Sequence, residues 1–181
     1  MRRLSRRAFL GAAGAAVIVR PALADEHEPR RIKLYNPHTD ESWDDVFRDE
    51  TGYLGEAWDR LNWFMRDHYE NVASVMDPGV FDLLWRLQRR YAEVYGRAAT
   101  VNIHSAFRTE ATNERLRREG AVQNSFHKYG RAVDVSMQGF GIWFLLDQVQ
   151  AIGAGGRGIY MRGQFAHIDT GPPRQWVQPI Y

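Results

Sequence analysis

The sequence predicts an α+β fold. Two observations carry that expectation: apolar positions recur at helical spacing in separate blocks, and the strand-like segments are short and partly joined as hairpins. A doubly wound sheet would instead alternate strands and helices regularly. No internal repeat or low-complexity stretch is visible in the 181 residues.

Along the chain, residues 25–52 mix charge with Pro29, Pro37 and Gly52. They read as an N-terminal extension, mostly loop, with one short strand over Arg31–Tyr35. The apolar positions 54, 57, 58, 61, 64 and 65 then predict a helix. Asp77-Pro78 supplies an N-cap and a first-turn proline. Val80, Leu84, Leu87, Tyr91 and Val94 form one face of the helix behind it, which ends before Gly96. Trp58, Trp63 and Trp85 read as packing residues. Thr100–His104 is a predicted strand, and Thr109 caps a polar helix running to Gly120. Arg131–Val135 is a second strand, and Ile142, Leu145, Leu146 and Val149 mark another helix. Gly156–Met161 and Phe165–Asp169 read as two closing strands, joined across Arg162-Gly163. Domain organisation follows as 1–24 leader, 25–52 extension and 53–181 folded domain.

The leader rests on its own residues. Arg6-Arg7 precedes an uncharged run from Ala8 to Val19, which opens Ala8-Phe9-Leu10, and then Ala22-Leu23-Ala24. A charged start, a short apolar run and an A-x-A site describe an export signal. The paired arginines make it a twin-arginine signal, with a general secretory signal or an uncleaved anchor as the alternatives. The apolar run is too short to span about 30 Å of hydrocarbon. No cysteine stands anywhere in the chain to carry a lipid. The expectation is passage through the twin-arginine machinery, a mature start near Asp25, a periplasmic location and no stable membrane anchor after cleavage.

Charge then excludes a partner class. The whole chain has 24 Lys+Arg against 22 Asp+Glu and a sequence pI near 9.0, which invites a polyanion. Residues 1–24 hold five of those arginines and no acid. The mature chain therefore carries 19 bases against 22 acids, and no electrostatic case for nucleic acid remains. The absence of cysteine excludes thiol nucleophiles, cysteine-bound zinc and disulfides.

Among motifs, Gly153-Ala-Gly155-Gly-Arg-Gly158 has the spacing of a dinucleotide fingerprint. It follows a helix and opens a strand, the reverse of what that fingerprint requires. A histidine–carboxylate set remains. Ser125-Phe-His127-Lys-Tyr-Gly130-Arg-Ala132-Val-Asp134 places a histidine in a loop and an aspartate on a strand. Gly130 permits a tight turn between them. On the strand Phe165–Asp169, the period of two puts His167 and Asp169 on one face. Two imidazoles and a carboxylate, with a fourth position for water, match a hydrolytic zinc site. Spacing alone leaves hydrogen-bonded core histidines open beside that reading.

These blocks resemble the zinc peptidases grouped as lysostaphin, D-Ala-D-Ala peptidase and sonic hedgehog types, and among them the exported murein endopeptidases of the YcbK (MepK) kind. The resemblance covers roughly residues 80–176. It includes Ser105-Ala106-Phe107-Arg108, Thr112-Asn113, Gly155-Gly156-Arg157-Gly158 and Phe165-Ala-His167-Ile-Asp169-Thr-Gly171, in unbroken order. It implies a small antiparallel sheet carrying the zinc site with flanking helices. It also implies His127, Asp134 and His167 as ligands of Zn2+, Arg108 beside the scissile carbonyl, and peptidoglycan peptides as substrate. Ser125 and Tyr129 either line the cleft or shape its loop.

One departure stands out. Relatives often carry a general base three or two residues before the second ligand histidine, where this chain has Gln164 and Phe165. Asp169 is the first substitute, either as base or as a hydrogen-bond partner of His167, and His104 the second. His27, His38 and His68 receive no role. Three readings follow: a zinc-dependent murein peptidase, a zinc-holding module that binds wall peptides without cutting them, or a structural or interaction protein whose histidines are core residues.

Overall fold

The computed structural model describes residues 28–179. The leader, the mature start at Asp25 and His27 lie outside them. In chain order the elements are β1 (Arg30–Asn36), β2 (Glu41–Asp49), β3 (Gly52–Tyr53), α1 (Gly55–Phe64), α2 (Pro78–Tyr95), β4 (Val101–Ser105), α3 (Glu110–Leu116), β5 (Ala132–Met137), α4 (Ile142–Ala151), β6 (Gly156–Tyr160), β7 (Phe165–Asp169) and β8 (Arg174–Gln178). Two single-turn 3₁₀ segments, Arg117–Glu119 and Phe126–Tyr129, complete the set. The mixed α+β content is as expected.

The sheet is larger than expected and not purely antiparallel. Its eight strands run β3-β2-β1-β4-β5-β7-β6-β8, with β1–β4 and β6–β8 paired in parallel. The extra strands explain the difference. Segment 25–52, expected to be mostly loop, supplies β1 and β2. In β2 only Trp43 and Phe47 are buried among nine mostly polar residues. Its alternation is too sparse to read from sequence. β8, equally unexpected, is an edge strand with no fully buried position.

Apolar alternation divides the sheet into two faces. Val101 and Ile103 of β4, Val133 and Val135 of β5, and Ala166 and Ile168 of β7 join one core with Leu61, Phe81, Leu84, Leu87, Leu145 and Val149 of α1, α2 and α4. Each Val, Leu, Ile or Phe among them, fully buried, contributes about 1.5–3 kcal/mol. The residues between them, Asn102, His104, Asp134, Ser136, Phe165, His167 and Asp169, take the other face. That second face carries the chemistry.

Caps fix the long helix α2 as expected. Asp77 accepts from Gly79 N at 2.8 Å, Pro78 opens the first turn, and Gly96 closes it with φ 66°. Two packing expectations do not hold: Val94 is exposed, and Trp63 is 48% exposed at the end of α1. The β6–β7 hairpin forms as predicted, across residues 161–164. Among the described residues no helix is long and apolar enough to cross a membrane.

Candidate metal centre

Strand register builds most of the centre. β5 and β7 are antiparallel neighbours in which Asp134 lies directly opposite His167 and Ala132 opposite Asp169. The third member comes from the 3₁₀ turn Phe126–Tyr129. Ser125 caps that turn through its Oγ, which accepts from His127 N at 3.4 Å. Gly130 ends it with φ 64°. A side chain at 130 would also come within 2.6 Å of the Val75 carbonyl, so glycine is required twice over.

The result is a tight triangle of donor atoms. His127 Nε2 lies 3.2 Å from Asp134 Oδ1 and 3.1 Å from His167 Nδ1. His167 Nδ1 lies 3.0 Å from Asp134 Oδ1. All three side chains are buried. Each ring is also fixed from behind. His127 Nδ1 meets the Ala106 carbonyl at 2.6 Å, and His167 Nε2 meets Asp169 Oδ2 at 2.9 Å. Those acceptors claim the proton of each neutral ring, so two lone pairs and a carboxylate oxygen converge on one point. Such a set is stable only with positive charge among it. Donors bonded to one tetrahedral zinc at about 2.0–2.1 Å stand roughly 3.3 Å apart. The residues therefore fit a metal ion.

The titration directions express the same demand. Burial pushes His127 down to about 4, helped by the Arg108 guanidinium. Burial would raise Asp134, but His127 and Arg108 beside it overcome this and hold it well below the carboxylate range. His167 is buried too, yet its hydrogen bonds to Asp134 and Asp169 push it up. Unless a cation is bound there, a proton has to fill the gap on His167.

Around the triangle, Arg108 pairs through Nη2 with Asp134 Oδ2. Its Nε donates to Ser105 Oγ at 2.7 Å, and its backbone N–H donates to the His127 carbonyl. The guanidinium thus holds the Asp134 oxygen that does not face the histidines. Asp169 is fully buried. Besides His167 it accepts from Gly156 N at 2.9 Å, Gly171 N at 2.8 Å and Arg174. Burial would raise its pKa, but those bonds, His167 and Arg174 foremost, drive it far below the usual carboxylate range.

The other candidates are placed as follows. Ser125 is buried and shapes the turn. Tyr129, on the same turn, is 59% exposed. Gln164 is an exposed turn residue with φ 51° whose side chain donates to the Met161 carbonyl. Phe165 stacks on Tyr160 at 4.7 Å. His104 Nε2 lies 2.8 Å from Ser136 Oγ, with its ring 5.7 Å from Phe165. His38 and His68, given no role, stack face to face at 4.4 Å.

Sequence reasoning missed Ala106, Arg174 and Trp176. A backbone carbonyl leaves no trace in residue type. Arg174 had one available signal: Pro172-Pro173 after Gly171 turns the chain back, so that Arg174 reaches Asp169. Trp176 packs 5.2 Å from the His167 ring.

With this geometry in hand, comparison with known proteins identifies the family. The family model Peptidase_M15_2, described as peptidoglycan L,D-endopeptidase MepK, matches residues 24–176. The peptidoglycan L,D-endopeptidase MepK of Escherichia coli K12 is 38% identical over 169 residues, covering 91% of each chain. That of Shigella flexneri gives the same figures. The probable peptidoglycan L,D-endopeptidase MepK of Haemophilus influenzae is 29% identical over 157 residues, covering 86% of this chain and 83% of its own. This chain belongs to the peptidoglycan L,D-endopeptidase family to which the MepK proteins belong.

Proposed function

We propose that this chain is a zinc-dependent endopeptidase that hydrolyses L,D amide bonds in the cross-linking peptides of peptidoglycan. One observation carries the reading: His127 Nε2, Asp134 Oδ1 and His167 Nδ1 converge within 3.2 Å, with each ring held by a partner behind it. Zinc bound there supplies a Lewis acid that activates water at neutral pH and polarises the scissile carbonyl.

The chain's own residues do the rest. Asp169 holds the His167 ring so that Nδ1 faces His127 and Asp134, where a metal would be held, and this bond would also raise its basicity as a ligand. A carboxylate so strongly held by Arg174 and two backbone N–H groups is a poor proton acceptor, which favours the orienting role over the base role. Arg108 aligns Asp134 through Nη2. Among the described residues its Nη1 makes no hydrogen bond, which leaves that group to meet the carbonyl oxygen as charge develops. Tyr129, exposed on the turn that carries His127, lines the entrance. The leader directs the folded protein through the twin-arginine machinery to the periplasm, where cross-linked murein is found.

The test is mass analysis of products from a defined cross-linked muropeptide, with and without chelator. We expect monomers with new termini at the L,D bond, about one zinc per chain, and no products after chelation. A zinc-loaded, folded protein that binds the muropeptide and leaves it intact would establish the non-catalytic binding module instead.

A further inference from the structure

The exposed Trp63 belongs to a second hollow, on the segment that also braces the metal centre. A cavity of about 370 Å³ opens between β2 and the C-terminal half of α1, lined by Trp43, Trp63, Ser42, Asp59 and Arg60 among others. Trp43 is 5% exposed, and its buried Nε1 has no hydrogen-bond partner. Trp63 is 48% exposed but fixed. The Arg66 guanidinium stacks on it at 4.6 Å and is itself held by Glu41 at 2.8 Å and Asn71 at 2.7 Å.

These features select a ligand class. A rigid exposed indole offers a flat apolar surface to the C–H face of a sugar ring. The Arg60 guanidinium suits carbonyl or hydroxyl oxygens, while Asp59 and Ser42 accept from hydroxyls. A cationic ligand is disfavoured by the positive charges of Arg60, 5.1 Å over Trp43, and of Arg66, which covers one face of Trp63. A polyanion is opposed by Asp59 and Glu41. What remains is a neutral, hydroxyl-bearing ring about the size of one sugar unit.

We infer that the Trp43–Trp63 cavity binds an N-acetylated amino sugar of the murein glycan strand, so that the polymer is gripped while its stem peptide lies at the metal centre. The inference rests on the murein-peptidase reading and adds a second point of attachment to it. The chain between the two sites is short and braced. Directly after Trp63, the Met65 carbonyl accepts from Phe107 N at 3.0 Å. Asp67 then accepts from Thr109 N and Thr109 Oγ1, each at 2.9 Å. Phe107 and Thr109 flank Arg108, so the wall of the sugar site and the loop of the guanidinium form one hydrogen-bonded unit.

The experiment uses the zinc-loaded mature protein and its Trp63→Ala variant on two substrates: intact sacculi, and cross-linked peptides freed of glycan. We expect KM on sacculi to rise by about tenfold in the variant, with rates on glycan-free peptides unchanged. A parallel titration with the trisaccharide of N-acetylglucosamine should shift the indole N–H resonance of Trp43 in the wild type. Equal losses on both substrates, no loss on either, or an unmoved Trp43 resonance would overturn the inference. The titration needs no turnover. A protein inactive on both substrates would therefore remove the peptidase reading, while the resonance still decides the sugar site.

Discussion

Asp169 stands directly behind His167, with Oδ2 2.9 Å from Nε2, while the opposite ring nitrogen faces His127 and Asp134. Two residues apart on β7, they share a face because a strand alternates sides. One belongs to the cluster that could hold a metal ion, and the other fixes how its ring is turned toward that cluster.

Asp169→Asn tests that division. The amide keeps the shape but loses the charge that fixes the His167 proton and pairs with Arg174. Zinc affinity should fall by about 10–100-fold, measured by competition with a chromogenic chelator, and activity should recover in excess zinc. If activity stays lost with zinc saturating, Asp169 is the proton acceptor and the orienting role is wrong.

Arg108→Lys separates charge from geometry. Lysine keeps the positive charge but cannot span Ser105 Oγ and Asp134 Oδ2 while presenting a further N–H. With zinc held saturating, kcat on a cross-linked muropeptide should fall on the order of 100-fold. Zinc content should stay near one per chain. Should kcat recover at saturating zinc, Arg108 serves only to align Asp134.

How much of this was legible in the sequence follows from how local each signal is. Asp77-Pro78 and Gly96 bound a helix because caps act within a turn, and the structure bears both out. His127, Asp134 and His167 stood out because a short motif and a strand period place them. The Asp134–His167 register was beyond reach, since it depends on how β5 and β7 align across the 27 intervening residues, 138–164. The sheet was underestimated for a related reason. β2 buries only Trp43 and Phe47, and β8 is a polar edge strand; both are held by neighbours distant in sequence. Trp63 was misassigned because helical spacing places it one residue off the apolar face of α1, where bulk suggested burial and the structure shows exposure.

His68 gives the protein a defined acid sensitivity. Burial lowers its pKa from 6.5 to about 4, reinforced by His38, Arg108 and Arg115 and opposed by Asp67. The folded state therefore binds fewer protons than the unfolded state between those values. Its stability contribution is full above pH 6.5 and is lost as pH falls toward 4. Thermal melts of wild type and His68→Phe at pH 7, 6, 5 and 4 should show the variant losing less Tm through that window while retaining a ring to stack on His38. Parallel losses would show that His68 contributes nothing to acid sensitivity.

Gly156 links the glycine run to the metal centre. A Cβ there would lie 2.1 Å from Asp169 Oδ2 and 2.6 Å from Arg174 Nη1, so the strand can pass the Asp169–Arg174 ion pair only without a side chain. Gly156→Ala should push Asp169 off its bonds to His167 and to Gly156 N. The expected cost is about 1–3 kcal/mol of stability from overpacking, read by urea denaturation, together with weakened zinc binding. Gly55→Ala is the matched control. A Cβ at 55 meets nothing within 4 Å, and alanine favours the helix it opens. Stability there should hold or rise slightly, with zinc affinity unchanged. If both variants behave alike, the close approach at Gly156 does not constrain Asp169, and the run of glycines has another cause.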